Sequence, residues 1–242
     1  MIVLTELEYA YPTGDPALAG LSLAVPEGAL VGLVGANGSG KSTLLSLLSG
    51  LYTPTGGSLR VGGHESPGQE KAIRSHVRLV MQDADLQILG ATVEEDLLLG
   101  RRRTGDMVAR ARDMAARFHL AGHWDRPVQT LSWGMKRKLC LAAALLDGPT
   151  VLLLDEPFSG LDFPGAREMR AILRENRAAG LTQVVSSHDL DSFVDMADLL
   201  VVLNRGRLAV AGAVEDVLPH VLENDVRPPF SRHLDLPDRG EA

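Results

Sequence analysis

The sequence has little with which to form disulfides or cross a membrane. Its one cysteine, Cys140, cannot pair within the chain, which excludes a disulfide-stapled secreted scaffold. No apolar run approaches the roughly 18 residues of a membrane helix; one of the longest, residues 139–146, has eight. The N-terminal residues lack the basic and apolar regions of a signal peptide. We expect a cytoplasmic globular protein that cannot cross a bilayer by itself.

Positive charge is also scarce. The 242 residues include 24 basic and 31 acidic side chains, for a net charge of −7. Because non-specific affinity for nucleic acid comes mostly from Lys and Arg, this balance disfavours a generic nucleic-acid binder. Two short basic clusters, residues 101–103 and 136–138, could contact phosphate backbones. In a chain of this charge we interpret them as solvated faces.

Short apolar runs rich in Val and Leu alternate with helical patterns along the chain. Runs this apolar are typical of strands buried on both faces, which predicts an α/β layer architecture. The predicted strands cover residues 30–34, 77–81, 151–154, 183–186 and 199–203.

Helical patterns dominate residues 88–148, which we predict to be a helical subdomain. Thr92 and Glu95 have the spacing of a capping box, and Ser132 could cap a second helix. Pro164 and Gly180 bracket a further helix, with proline at its start and glycine at its end. From Pro219 onward the chain is proline-rich with little periodicity, so we predict one folded domain over residues 1–218 and a loosely ordered tail over 219–242.

The strongest motif is a phosphate-binding loop. Residues 35–42 read Gly-Ala-Asn-Gly-Ser-Gly-Lys-Ser and lie between a predicted strand and a predicted helix. In this pattern the glycines let backbone N–H groups surround phosphate oxygens, Lys41 reaches the β- and γ-phosphates, and the Ser42 hydroxyl ligates Mg²⁺. An accidental match has odds of roughly one in a hundred, so we predict nucleotide binding.

A second motif is an acidic pair at the end of an apolar strand. The sequence Val-Leu-Leu-Leu leads to Asp155 and Glu156. A buried strand would deliver Asp155 to the carboxyl end of the sheet, where it can hold a Mg²⁺-bound water beside the loop. Glu156 then suits the role of general base toward the attacking water.

Together with these two motifs, five further segments resemble the ATP-binding subunit of an ABC transporter, over roughly residues 3–215. Gln82 resembles the family's Q-loop glutamine, which contacts Mg²⁺ and senses the membrane partner. His188, in Ser-His-Asp, resembles the switch histidine that contacts the γ-phosphate. Tyr11 is placed like the aromatic residue that stacks on adenine, with Tyr9 a weaker candidate. Residues 131–135, Leu-Ser-Trp-Gly-Met, stand where the signature segment lies, and residues 159–162, Ser-Gly-Leu-Asp, resemble the D-loop.

The resemblance implies a P-loop NTPase core of ABC type, an inserted helical subdomain and an antiparallel β portion near the N-terminus. It also implies ATP and Mg²⁺ as ligands and hydrolysis only in a head-to-tail dimer. The catalytic candidates are Glu156, His188 and Gln82, and the Mg²⁺ candidates are Ser42, Gln82 and Asp155. The nucleotide-binding candidates within the chain are Tyr11, Gly35, Asn37, Gly38, Ser39, Gly40, Lys41, Ser42 and Thr43. Those acting on the partner's ATP are Ser132, Gly134 and Asp162.

The signature segment departs from the family's usual Leu-Ser-Gly-Gly-Gln at two positions. Trp133 stands in place of the first glycine and Met135 in place of the glutamine. An indole here could alter dimer packing or face the membrane partner. We expect ATPase activity to be retained with a changed rate.

Two function classes remain: the motor subunit of a transporter, and a soluble ABC-type ATPase acting on nucleic acid or the ribosome. The short, heptad-free interval between Gln82 and the signature segment lacks the long coiled coil of chromosome-maintenance relatives, which favours the transporter. Residues 82–96 resemble the energy-coupling-factor (ECF) type, especially its cobalt/nickel uptake branch and vitamin-uptake relatives. That resemblance implies peripheral attachment at the cytoplasmic face of the cell membrane. It implies a second cassette, the same chain or a paralogue, a transmembrane coupling protein docking around residues 83–91, a substrate-binding membrane protein, and no nucleic acid. An importer of another class is the alternative.

Overall fold

A six-stranded, mostly parallel sheet forms the centre of the fold. The structure, a computed structural model, describes residues 1–230. Within this sheet only the edge strand β10 runs antiparallel to its neighbour. The order is β10-β9-β3-β8-β7-β6, with β3 Leu30–Val34, β6 Val77–Val80, β7 Val151–Asp155, β8 Thr182–Ser187, β9 Leu199–Asn204 and β10 Arg207–Gly212.

The five predicted strands are all present, and the reason lies in how they are buried. All five residues of β3 are buried. Leu30 and Val34 point into the core on the helical side, whereas Val31 and Leu33 point into the core on the opposite side. Because successive strand residues face opposite sides, a strand covered on both faces needs an unbroken apolar run.

A four-stranded antiparallel sheet covers one of those faces, as expected near the N-terminus. Buried residues such as Leu4 and Leu59 join its inner face to the core beneath the central sheet. The strand order is β2-β1-β4-β5, with β1 Ile2–Ala10, β2 Pro16–Val25, β4 Gly56–Val61 and β5 His64–Ser66.

Three helices fill the chain between β6 and β7, where the helical subdomain was predicted. Thr92 caps the first of them by accepting a hydrogen bond from Glu95 N, and Ser132 caps the third. The side chain of Glu95 accepts from Ala91 N rather than closing the expected capping box on Thr92. None of the helices in residues 1–230 is long and apolar enough to span a membrane. The helices are α1 Lys41–Leu48, α2 Glu70–His76, α3 Val93–Leu98, α4 Gly105–Arg117, α5 Trp133–Leu146, α6 Phe163–Ala178 and α7 Val214–Val217.

The chain after Pro219 is more ordered than predicted. Val221 and Val226 are buried in the core on the helical side, so the expectation of a loosely ordered tail is wrong as far as residue 226. Arg227 then forms an isolated parallel bridge with Asp189, and Phe230 N donates to Asp191 Oδ1 at 2.6 Å. The rest of the predicted tail, residues 231–242, lies outside the described residues. The boundary at residue 218 stays a prediction.

Candidate active site

The phosphate-binding loop connects the carboxyl end of β3 to the first turn of α1. Lys41, the first residue of α1, is buried, and its Nζ donates to the carbonyl oxygens of Gly35 at 2.8 Å and Ala36 at 3.2 Å. Burial lowers the pKa of Lys41 from its ordinary value, and the nearby carboxylates of Glu156 and Asp155 partly oppose that shift. The ammonium group is therefore held across the loop, beside the carboxylates at the ends of the central strands.

Glycine is required in this loop for both backbone geometry and space. Gly40, at the N-cap of α1, has φ 103°, and a Cβ there would lie 2.7 Å from a methyl group of Leu18. Gly38 has φ 79° in open surroundings, so conformation alone favours glycine there. These positions let backbone N–H groups converge at the start of α1, where the helix dipole favours an anion.

Asp155 and Glu156 stand at the carboxyl end of β7, held by a residue that sequence reasoning missed. Ser186, on the neighbouring strand β8, donates its hydroxyl to Asp155 Oδ1 at 2.5 Å. The same Ser186 oxygen accepts from Glu156 N at 2.9 Å. The strand pairing of Asp155 with Ser186 brings these groups together, and no sequence spacing reveals it.

Glu156 and His188 meet directly. His188 Nδ1 and Glu156 Oε2 are 3.0 Å apart, and Glu156 is buried with a backbone φ of 48°. A left-handed conformation is unfavourable for a residue with a side chain and persists where surrounding contacts impose it. The pair is therefore fixed: a carboxylate able to accept a proton from water, oriented by an imidazole that is itself exposed.

A cavity of about 590 Å³ lies in front of these groups. Tyr11 lines it and donates or accepts a 2.7 Å hydrogen bond with Thr43, whereas Tyr9 is buried behind it. The predicted residues that line the cavity are Tyr11, Asn37, Gly38, Gly40, Lys41, Ser42, Thr43, Gln82, Glu156 and His188. Gly35 and Ser39 lie behind the wall; Gly35 holds Lys41 through its carbonyl, and the buried Ser39 hydroxyl has no hydrogen-bond partner among the described residues.

The turn between β9 and β10 forms another part of the wall that the sequence did not indicate. Arg205 and Gly206 line the cavity, and Gly206 N donates to Ser39 O at 3.0 Å. A Cβ at Gly206 would lie 2.4 Å from the carbonyl oxygen of Ala17. This close approach ties the β9–β10 turn to the phosphate-binding loop and to β2, and a turn glycine with such a contact has no motif to reveal it.

The three residues predicted to act on a partner's ATP lie elsewhere. Ser132, Gly134 and Asp162 line a groove of about 300 Å³ between α5 and α6. Ser132 Oγ accepts from Met135 N at 3.3 Å, and Asp162 Oδ1 accepts from Gly165 N at 2.9 Å, so both cap helices. The chain does not bring this group to its own phosphate-binding loop.

The residues proposed for Mg²⁺ offer the donors that this ion prefers. Ser42 and Gln82 line the cavity, and Asp155 lies at the adjacent strand end. A hydroxyl, an amide and a carboxylate supply hard oxygen ligands, and Mg²⁺ characteristically takes its remaining ligands from phosphates and water. Within residues 1–230 no group of three His, Cys, Asp or Glu side chains could hold a metal ion.

The sequence profile of the ABC transporter family matches residues 18–159, which include the phosphate-binding loop, Gln82, the signature segment and the acidic pair. The chain belongs to the ABC transporter ATP-binding family. This ABC ATPase is 40% identical over 246 residues to the cobalt import ATP-binding protein CbiO of Rhodobacter capsulatus, covering 98% of this chain and 88% of the relative. It is 37% identical over 216 residues to the energy-coupling factor transporter ATP-binding protein EcfA of Carboxydothermus hydrogenoformans, covering 87% and 80%.

A solved structure of similar fold is CbiO1 from Clostridium perfringens, part of the ABC transporter complex CbiONQ. The TM-score is 0.80 at 28% identity, and the match covers 97% of this ABC ATPase and 98% of that chain. The expected fold class is confirmed: a P-loop core of ABC type with parallel and antiparallel sheets. The family also establishes the coarse function, an ATP-hydrolysing, ATP-binding subunit of an ABC transporter.

Proposed function

We propose that this ABC ATPase is the motor of an ECF-type importer, working at the cytoplasmic face of the membrane. The observation that carries the motor role is the convergence of Lys41, Gln82, Glu156 and His188 on one cavity at the carboxyl ends of the central strands, and the importer type rests on the similarity to CbiO and EcfA. These groups serve phosphoryl transfer, in which catalysis consists mainly of positioning and charge neutralisation.

Each side chain has a role set by its surroundings. Lys41 and Ser42 bind the phosphates and Mg²⁺, and Tyr11 stacks on the adenine. Glu156 accepts the proton of the attacking water, and His188, 3.0 Å from its carboxylate, orients that carboxylate and contacts the γ-phosphate. Gln82 and Asp155 complete the Mg²⁺ environment. When bound, the ion neutralises charge on the phosphate oxygens.

The site is completed by a second cassette, either the same chain or a paralogue. Ser132 and Gly134 stand at the N-terminus of α5, which favours an anion, yet they line a groove separate from the cavity at the chain's own loop. A head-to-tail dimer would place it against the partner's γ-phosphate, with Asp162 nearby. Each chain then supplies half of two ATP sites.

The membrane partner docks on the surface of residues 83–91. Leu86 and Leu89 are 69% and 74% exposed there, beside a groove of about 320 Å³ that extends to Val128 and Lys136. Two large apolar side chains so exposed within one short loop suit a helix that covers them. The loop begins at Gln82, so docking and the ATP cavity share one segment.

The transported solute is a transition-metal ion, cobalt or nickel, or a vitamin, taken up through separate membrane subunits. The support comes from the names of the relatives, one a cobalt import protein and another an energy-coupling factor protein. A different class of ABC importer is the alternative within transport.

A soluble ATPase acting on nucleic acid is less well supported. In the two basic clusters, Arg101 pairs with Asp147 and Arg103 with Glu94, while Lys136 and Lys138 pair with Asp85 and Glu168. Arg137 is buried. Side chains already paired within the chain have little charge left for a phosphate backbone.

The test is an affinity purification of the tagged chain from membranes in mild detergent, followed by mass spectrometry. We expect a small transmembrane coupling protein and a substrate-binding membrane protein, whose identity would name the solute class. Leu89→Asp is the matched control: it should lose both partners and keep ATP binding, because Leu89 lies outside the nucleotide cavity. Recovery of a permease of another type would favour the alternative importer. Recovery of soluble partners alone would contradict the transporter assignment.

A further inference from the structure

Arg137, one turn into α5, makes more contacts with the catalytic loops than its sequence context suggests. It lies in the basic cluster that we interpreted as a solvated face, and for this residue that interpretation is wrong, since only 4% of it is exposed. Its Nη1 donates to the carbonyl oxygens of Glu156 at 2.9 Å and of Pro157, and its Nη2 donates to Gln82 O at 3.1 Å. One guanidinium therefore joins the backbones of the general base and of the Q-loop glutamine.

Trp133 covers that guanidinium. The Arg137 Cζ lies 4.3 Å from the centroid of the indole, a cation–π stacking distance. The same ring packs against the D-loop, because a Cβ at Gly160 would lie 3.1 Å from Trp133 Cη2. The residue that departs from the usual signature glycine thus has a defined place, between the D-loop and the arginine.

Because Arg137 of α5 holds the carbonyl groups of Glu156 and Gln82, the position of α5 affects the backbone of both residues. A glutamate held at φ 48° depends on its surroundings to keep its backbone in place. Planar guanidinium groups are suited to this, since their fixed N–H donors can hold several acceptors in one geometry. A displacement of about 1 Å at a reacting group can cost roughly a hundredfold in rate.

The two ends of this arrangement face different ATP molecules in the proposed dimer. In the dimer proposed above, Ser132 and Gly134 at the tip of α5 face the partner's ATP. Arg137 lies about one turn further along the same helix and holds Glu156 and Gln82 at the chain's own ATP cavity. Trp133 directly follows Ser132 at the helix tip, and its ring stacks on Arg137.

We propose that Trp133 and Arg137 form a positioning pair that couples the signature end of α5, facing one ATP, to Glu156 and Gln82 at the other. Arrival of the partner's γ-phosphate at the helix tip shifts α5, and the guanidinium carries that shift to the catalytic backbone. The two ATP sites of the dimer are linked through this pair of side chains in each subunit. This inference rests on the proposed composite site.

The test compares steady-state ATP hydrolysis by the purified chain with that of Arg137→Met, Arg137→Lys, Trp133→Gly and Trp133→Phe. Binding of a fluorescent ATP analogue with Mg²⁺ and thermal unfolding are measured alongside. For Arg137→Met we expect kcat to fall at least about tenfold while nucleotide affinity changes little. For Trp133→Gly we expect a smaller fall in kcat and a Hill coefficient closer to one. Trp133→Phe keeps a ring over the guanidinium and should restore both.

The matched control is Arg112→Met, which breaks a similar stack outside the site, where the Arg112 Cζ lies 4.5 Å from the Trp124 ring centroid. It should leave kcat and the Hill coefficient unchanged. If Arg137→Met keeps the parent kcat, or Trp133→Gly matches the parent in rate and cooperativity, the coupling role is wrong. Should Arg137→Met fail to fold, the partly exposed Trp133 carries the test.

Failure of the inference can be told from failure of the proposed function by dimerisation. Glu156→Gln and the double variant Glu156→Gln/Arg137→Met are compared by size exclusion with ATP and Mg²⁺. If both dimerise while Arg137→Met hydrolyses ATP at the parent rate, the composite site stands and only the coupling is overturned. If Glu156→Gln stays monomeric, the composite site itself is wrong, and the coupling falls with it.

Discussion

In the composite site that we propose, the cavity at the phosphate-binding loop and the groove at the tip of α5 form two halves with different characters. In the cavity, polar groups hold one another: Lys41 bonds two loop carbonyls, Glu156 bonds His188, and Asp155 bonds Ser186. In the groove, Ser132 and Asp162 each bond, within residues 1–230, only to the first turn of their own helix, at 3.3 and 2.9 Å.

This difference indicates that the cavity serves the reaction, whereas the groove controls when the reaction can occur. Satisfied networks of short hydrogen bonds fix their members in place, as a reaction centre requires. A helix N-terminus with only capping side chains can contact an anion that is brought to it. It has no groups that hold the rest of the ligand. We therefore expect the first half to bind a nucleotide alone, and the second to act only when a partner brings one.

The largest effect is expected from Lys41→Ala, which removes the cation from the first half. In the proposed site the buried ammonium neutralises the β- and γ-phosphates, so hydrolysis should fall at least about a hundredfold. Phosphate release from ATP measures this. Lys71→Ala, an exposed lysine of α2, is the control and should behave like the parent. Substantial turnover by Lys41→Ala would contradict the loop assignment.

Glu156→Gln should abolish hydrolysis while leaving ATP bound. Because the amide cannot take a proton from water but keeps the shape of the side chain, the two halves should stay closed on ATP. Size exclusion with ATP and Mg²⁺ should show a dimer, and ADP should give a monomer. A monomer in both conditions would mean that the groove of one chain does not close on the cavity of another.

The two halves can be separated by mixing inactive subunits. Gly134→Asp should fold, since a Cβ there meets nothing within 4 Å, and its carboxylate should repel the partner's phosphates. A mixture of equal amounts of Gly134→Asp and Lys41→Ala should recover activity above either variant alone and up to about a quarter of the parent's, because half of the dimers would have one intact site of two and coupling between sites lowers its rate. Activity no higher than that of either variant alone would argue against sites shared between copies of this chain.

The smallest effect concerns the far end of α5, where Asp147 is the C-cap and holds that end of the helix while the tip meets the partner. Asp147 accepts hydrogen bonds from Arg101 and Arg78. Burial favours the neutral form, but the arginines prevail and lower the pKa of Asp147. Asp147→Asn should reduce the free energy of unfolding by about 2 kcal/mol at neutral pH.

The pH dependence of that difference follows from the sign of the shift. A carboxylate whose pKa is lowered by folding stabilises the protein above its ordinary pKa of about 4. The difference between parent and Asp147→Asn should therefore be full at pH 7 and disappear as the pH falls through the lowered pKa. Urea unfolding at several pH values measures it, with Glu65→Gln at an exposed ion pair as control. A difference that does not change with pH would mean that Asp147 contributes by shape and not by charge.

The sequence predicts those parts of the site whose residues lie next to one another in the chain. Strand β3, the loop after it and Lys41 form one continuous segment, so spacing alone indicates them. Ser186 and Arg137 act through contacts with residues far away in the chain, and serine or arginine at those positions has many ordinary uses. The sequence wrongly predicts that Arg137 is solvated, because its two lysine neighbours are charged and paired at the surface. Burial of Arg137 depends on how α5 packs against the loops beneath it.

The bridge between Asp189 and Arg227 gives the molecule an order of assembly in time. The phosphate-binding loop at residues 35–42 leaves the ribosome well before Arg227, which follows every strand of the central sheet. Chains synthesised from the N-terminus begin to fold from that end. We expect a nascent subunit to bind nucleotide before its histidine loop is secured, so that ATP can be a folding ligand before it becomes a substrate.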